Sequence, residues 1–214
     1  MFAALLAISL FAQSPQYPLL ERDLEVELAL SAAPAHVRTG AAVWILQESG
    51  YTLARPGTNA FACVVARRGG DIFPVCWDAE GTKTMLPIDF DDAKLRLNGK
   101  SGSDIDTIVQ QRFARGEYHA PSRAGVSYML SPLRYRIDEH GQVTKSAANP
   151  HVMFYGPNLT DGDIGGVRGS YVYMNKVGPD GMIIVPVGAK EREAIVAESE
   201  ALRLRLERAI GVRP

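Results

Sequence analysis

The sequence predicts an α+β fold, a largely antiparallel sheet with a cystine-bridged hairpin, packed by two or three helices. Three observations predict it. Short apolar segments bounded by glycine, proline and asparagine recur along the 214 residues and read as strands. The two cysteines, Cys63 and Cys76, flank a glycine turn symmetrically. Two longer stretches, Asp104 to Arg115 and Lys190 to Ile210, carry apolar stripes at helical spacing and stop at glycines. With 46% hydrophobic and 22% charged residues, the composition excludes a disordered or collagen-like chain. Lys plus Arg number 23 against 24 Asp plus Glu, a net charge of -1, so no global field recruits nucleic acid or an anionic membrane.

Met1 to Ala12 is uncharged and almost wholly apolar, and the chain turns polar from Gln13 to Pro18. Residues 1–12 read as a signal peptide with Ala12 at the cleavage point; the alternative is a buried N-terminal helix. A membrane-spanning segment is not expected, because Glu21, Arg22 and Asp23 arrive before about 20 apolar residues accumulate. Residues 13–214 are then expected to form a single globular domain.

Leu20 to Ala33 repeats leucine every fourth residue in a Glu, Leu and Ala background and predicts a helix ending at Pro34. Ala41 to Leu46 and Tyr51 to Ala54, joined across Glu48-Ser49-Gly50, predict a hairpin that leads through Pro56-Gly57 into a second one, a meander of about four strands. In that second hairpin Ala60 to Arg67 runs out, Arg68-Gly69-Gly70-Asp71 turns, and Ile72 to Trp77 returns. A two-residue turn of the primed type at Gly69-Gly70 pairs Arg68 with Asp71, and counting outward pairs Cys63 with Cys76. That pair falls at a non-hydrogen-bonded position, where Cα atoms lie about 4.5 Å apart, within disulfide reach. Two buried free thiols are the alternative. A disulfide implies an oxidising compartment. Pro74 falls opposite Val65 with its missing N–H turned outward, which predicts an edge strand.

Thr84 to Phe90 reads as a further strand or loop, with Asp89, Asp91 and Asp92 capping a short helix to Leu97. A paired-carboxylate site is the chemical alternative there. Ser103 with Asp106 reads as a capping box for the Asp104 helix, whose packing face is Ile105, Ile108, Val109 and Phe113. Gly125–Ser131, His151–Tyr155, Tyr171–Met174 and Gly181–Val187 read as four strands. One continuous helix is expected over Lys190 to Ile210, with Ile195, Leu202, Leu206 and Ala209 in a stripe. Leu204 on its opposite side leaves room for oligomerisation through this C-terminal helix.

The chemical motifs are sparse. His36, His119, His140 and His151 show no metal-ligand spacing, so neither a metal nor another cofactor is expected. Ser127 lacks the second glycine of a nucleophile elbow. Asp161, Asp163 and Gly166 echo the start of a calcium loop, but Val172 stands where a bidentate glutamate is needed; the stretch reads better as a mobile loop or a lid. Tyr128, Met129, Met153, Phe154, Tyr155, Tyr171, Tyr173 and Met174 concentrate rings and thioethers on three strands, as core or as the lining of an apolar ligand site. The expected pocket gathers His119, Tyr128, His151 and Tyr155 at the strand mouths.

Ser31-Ala32-Ala33-Pro34, Asn59 through Arg67, Ser127 through Ser131 and Pro150 through Tyr155, in that order, make the chain resemble a family of uncharacterised secreted bacterial proteins over about residues 31–187. The resemblance implies export and brings no activity with it. Relatives carry extra histidines where this chain has Ala147-Ala148-Asn149, so any metal they hold is not expected here. The expectation is a secreted or periplasmic, non-enzymatic ligand-binding or structural module of the bacterial envelope, taking a small apolar ligand. The alternative is a hydrolase-type enzyme with His151 and His119 as acid and base.

Overall fold

The computed structural model describes residues 17–138 and 141–212; the signal-peptide reading of 1–12 and His140 lie outside these. The chain enters through helix α1 (Arg22–Leu30), which buries Leu24 and Leu28, and the short α2 (Ala35–Arg38), which follows Pro34. Four strands come next, β1 (Ala42–Gln47), β2 (Gly50–Arg55), β3 (Ala62–Arg68) and β4 (Asp71–Trp77). Helices α3 (Ala79–Thr84), α4 (Leu86–Leu97) and α5 (Gly102–Ala114) follow, then β5 (Val126–Met129), β6 (Tyr135–Ile137), β7 (Val143–Lys145) and β8 (His151–Tyr155). The chain finishes with α6 (Asp161–Ile164), β9 (Tyr173–Met174), β10 (Met182–Pro186), α7 (Ala189–Glu198) and α8 (Glu200–Ile210).

All ten strands join one sheet in the order β2-β1-β3-β4-β5-β8-β10-β9, with β6 on the first residues of β4 and β7 beyond it. The fold is α+β and the sheet largely antiparallel. The exception is β1 with β3, which run parallel. The expected meander is therefore corrected: β2 lies outside β1, and the chain passes over to place β3 on the other side of β1. Burial accounts for this order. Val43, Ile45 and Leu46 of β1 are almost fully buried, whereas Leu53 of β2 is exposed, so β1 takes the inner position and β2 the edge.

The cysteine hairpin has the expected register, with Arg68 opposite Asp71, Val65 opposite Pro74 and Cys63 opposite Cys76. Cys63 and Cys76 form a disulfide with Cα atoms 4.0 Å apart across a separation of 13 residues; a loop of about that length corresponds to roughly 3 kcal/mol of unfolded-state restriction. The edge-strand inference from Pro74 is corrected, because β4 is an interior strand. Its outer neighbour is two strands: β5 pairs with Cys76 and Trp77, β6 with Asp71 and Ile72, and the ladder is interrupted over 130–134. Pro74 falls in that interruption, where its missing N–H has no partner to lose.

Alternation sends β3 side chains to two cores. Cys63 and Val65 pack with α1, Leu133, Tyr135 and Leu202, Leu206 and Ile210 of α8. Ala62, Val64 and Ala66 pack on the other face with Trp77, Met85, Leu86 and Ile88. Arg67 faces α1 and is fully buried with Glu25: its Nη1 donates to Glu25 Oε1 at 2.7 Å and to the Val65 carbonyl at 2.7 Å. The Leu46 N–H donates to the same carboxylate oxygen.

Three further expectations change. Thr84 to Phe90 is helical rather than a strand or loop: α4 starts at Leu86 with Pro87 in its first turn, where proline loses nothing. Asp89, Asp91 and Asp92 lie within α4 and cap nothing; each is held by an arginine, Arg68, Arg112 and Arg96 respectively. The α5 capping box is Ser101 with Asp104, not Ser103 with Asp106, and of the expected packing face Ile105 alone is fully buried. The C-terminal segment is two helices, not one. The Ser199 hydroxyl bonds back to the Ile195 carbonyl at the break, a contact that bends helices. α8 buries Leu202, Leu206 and Ile210 while α7 buries nothing.

Candidate functional site

The helices pack mainly on β1 to β4: α1 on one face, α4 on the other. Beyond α4 the sheet face is open, and a cleft of about 390 Å³ lies on it. Its floor follows from period-two alternation on adjacent strands. β4 supplies Phe73 and Trp77, β5 Met129, β8 His151 and Met153, and β10 Met182 and Ile184; Tyr173 of β9 adds a ring. The ladder sets these side by side, with Met129 opposite His151, Met153 opposite Ile184, and Ile184 opposite Tyr173.

The walls are cationic. Arg68, Arg134, Arg168 and Lys176 line the cleft, against one lining carboxylate, Asp71. Carboxylates hold three of the four cations. Arg68 pairs with buried Asp89, whose other oxygen accepts from Trp77 Nε1 at 2.8 Å. Arg134 shares Asp71 with Arg136 and lies 5.4 Å from the centre of the Phe73 ring. Lys176 pairs with buried Asp180. Arg168 has no carboxylate partner among the described residues; it donates to the Asn175 carbonyl and sits 5.7 Å from the centre of the Tyr173 ring. Four cations and one carboxylate thus line the apolar floor, with Arg136, Asp89 and Asp180 as ion-pair partners behind them. His151 is half-buried, with Nδ1 bonded to the Asn149 carbonyl at 2.7 Å. A carbonyl accepts, so Nδ1 carries the proton and Nε2 the lone pair when the ring is neutral. Burial lowers the His151 pKa, the Asn149 bond opposes this, and Arg134 adds to it.

The expected pocket residues do not converge. His151 lines the cleft, but His119 is exposed beside Lys83, Ser122 and Asn158 in a separate depression. No contact joins the two histidines, so an acid and base pair made of them has no geometric basis. Tyr128 pairs with Cys76, faces the α1 side, and meets Phe61 with ring centres 5.8 Å apart; the sheet separates it from His151. Tyr155 lies on the cleft side but is buried, donating to Asp78 Oδ1 at 2.7 Å. Asp78 also caps α3 through the Glu80 and Gly81 N–H groups and accepts from Val126 N, so Tyr155 serves architecture. Burial and the Asp78 carboxylate push the Tyr155 pKa well up.

The calcium-like stretch is corrected as well. Residues 161–164 form α6, and Asp163 closes a capping box with Thr160. Asp161 Oδ1 accepts from Met174 N at 2.6 Å. Both carboxylates are committed to backbone N–H groups, and no cluster of three or more metal-ligating side chains occurs among the described residues. Ser127 is fully buried with Trp77 and Met153 as ladder neighbours.

Sequence reasoning found Met129, Met153 and His151 but missed Met182 and the arginines. Arg68 reads as a turn residue, and Arg134, Arg168 and Lys176 lie in segments without periodicity. No helix among the described residues is long and apolar enough to cross a membrane. The chain matches no family model, and no curated protein or solved structure matched it.

Proposed function

We propose that this is an exported ligand-binding protein whose cleft takes a small amphipathic anion, an apolar body bearing one carboxylate or similar group. The observation that carries the reading is the cleft's composition: Met129, Met153, Met182, Ile184 and Trp77 under a rim in which Arg168 has no carboxylate partner among the described residues. Concave apolar sites with a few convergent polar groups are where small ligands bind, and a guanidinium recognises a carboxylate in two-point fashion. Thioethers adapt to irregular alkyl or aromatic shapes. The Cys63–Cys76 bond and the resemblance to secreted bacterial proteins support export.

Trp77 reports on the cleft directly. In a Trp44→Phe background it is the sole indole, and titration with decanoate below its micellar range is expected to change its emission saturably. Arg168→Ala is expected to weaken decanoate binding about ten-fold, the order of one charge-assisted contact, and decanol is expected to bind more weakly by a similar factor. An unchanged Trp77 signal, or decanol binding as tightly as decanoate, overturns the reading.

A further inference from the structure

The cleft holds one side chain whose charge changes near neutral pH, and the ladder fixes where it stands. His151 heads β8, opposite Met129 of β5 and Pro186 of β10, and its ring lines the cleft on the same face as Met153 two residues on. Because Nδ1 donates to the Asn149 carbonyl, Nε2 is the nitrogen left over. It has no hydrogen-bond partner among the described residues and is not shut away from solvent. The other charged or titratable groups that line the cleft are Arg68 from β3, Asp71 from β4, Arg134 just before β6, Arg168 from the loop after α6, Tyr173 from β9 and Lys176 beyond it. The lining residues of β5 and β10 bring none. Of these side-chain types only imidazole has an ordinary pKa between pH 5 and pH 8.

The protein by itself gives an imidazolium little support at this position. Burial opposes the charge most, the Asn149 carbonyl favours it, and Arg134 opposes it again. Asp71, the one carboxylate in the lining, is held between Arg134 and Arg136. An anion in the cleft reverses the balance. A volume of about 390 Å³ corresponds to a sphere about 9 Å across, so a charge anywhere inside it lies within roughly one Debye length of the ring. We infer that His151 is a second recognition group of the cleft and couples binding to protonation: the amphipathic anion is taken up with one proton from solvent on Nε2, and both leave together. In the charged form both ring nitrogens donate, so Nδ1 keeps its bond to Asn149 while Nε2–H is offered to the ligand. The coupling is reciprocal: the anion raises the proton affinity of the ring by the same factor as the proton raises the affinity for the anion. The site therefore loads in acid and unloads as pH rises. This regulation rests on the proposed ligand class, whereas the placement of the ring does not.

Decanesulfonate tests this in the full-length chain, because its head group stays anionic from pH 5 to pH 8 and any pH dependence then belongs to the protein. Followed by Trp77 emission in the Trp44→Phe background, its binding is expected to tighten about ten-fold from pH 8 to pH 5, the factor that corresponds to a rise of one pKa unit on binding. His151→Gln is expected to abolish that dependence, and Arg168→Ala to weaken binding at both pH values while keeping it. Decanol, uncharged, is expected to bind equally at both. A second readout needs no variant: the Cε1 proton resonance of His151, followed by NMR against pH, is expected to titrate below about 6.5 alone and about one unit higher with saturating decanesulfonate. His36 and His119, both exposed and outside the cleft, are expected to keep their midpoints. A His151 midpoint that the ligand does not move, an equal pH dependence in His151→Gln, or parallel tightening of decanol overturns the inference. Tight decanesulfonate binding that ignores pH removes the proton coupling and leaves the ligand reading standing; an unchanged Trp77 signal at both pH values removes the two together.

Discussion

At the scale of single residues, His151 shows how position converts an ordinary side chain into a sensor. Burial depresses its pKa, with Arg134 adding to the effect and the Asn149 carbonyl opposing it. A base depressed in the folded state contributes stability that is fully present above its unfolded pKa of about 6.5 and is lost as pH falls through the folded value. Acidification from pH 7 to pH 5 is therefore expected to cost the wild type stability that His151→Gln keeps. Urea midpoints of the two proteins, compared across that range, are expected to diverge in favour of the variant; parallel curves would show that His151 charges without resistance. Glu25 and Arg67 carry a different lesson. Their alternating, strand-adjacent and helix-adjacent positions look unremarkable in sequence, yet both side chains are fully buried against each other, because α1 lies directly over the last turn-ward residues of β3. A charge on a surface-like segment becomes internal only when another element covers it, and that covering is not written locally.

At the scale of elements, the link between α3 and the β5–β8 pair depends on two glycines around Tyr155. A Cβ built on Gly81 would stand 2.2 Å from the Tyr155 hydroxyl, and one on Gly125 would stand 2.3 Å from Asp78 Oδ2 and 2.6 Å from the Tyr155 ring. Gly125→Ala is expected to cost about 1–3 kcal/mol by overpacking, read from urea denaturation, with Tyr155→Phe in the same background restoring little because the ring atoms still collide. Full stability in Gly125→Ala would place the Tyr155 ring elsewhere. The helices also show which local signals hold. The cap of α5 falls two residues before its expected position because Ser101 and Asp104 satisfy the same serine-to-acid spacing as Ser103 and Asp106, and sequence offers no way to rank two overlapping boxes. The end of α4 at Leu97 was legible, but its start was hidden because residues 84–90 alternate well enough to imitate a strand, while its buried stripe of Leu86, Ile88, Asp89, Asp92 and Ala93 includes two acids.

At the scale of the whole molecule, stability is distributed unevenly. One half of the sheet is covered on both faces and contains the disulfide, whereas β8, β10 and β9 have little helix over them and α7 buries no residue. Local opening follows buried apolar contact and backbone protection. Hydrogen exchange is expected to be slowest in β3 and β4, approaching global unfolding, and fastest among the helices in α7, with α8 protected well above it through Leu202, Leu206 and Ile210. Equal protection in α7 and α8 would contradict the break at Ser199. The same asymmetry makes the cleft: where helices stop covering the sheet, its thioether and aromatic floor is left open to a ligand.

The sequence by itself determined the α+β class, the cysteine pairing with its register, and the existence of most strands, because a two-residue turn and period-two alternation are local constraints that fix which side chains oppose one another. It also marked His151 as a pocket residue, but grouped it with His119, Tyr128 and Tyr155, which the fold sets apart from it. Tertiary structure alone decided the strand order, with β2 outside β1 and β4 in the interior, and it alone brought Arg68, Arg134, Arg168 and Lys176 to one rim. Those choices depend on which faces are covered by elements distant in sequence, and burial of that kind is a property of the assembled packing, not of any segment read on its own.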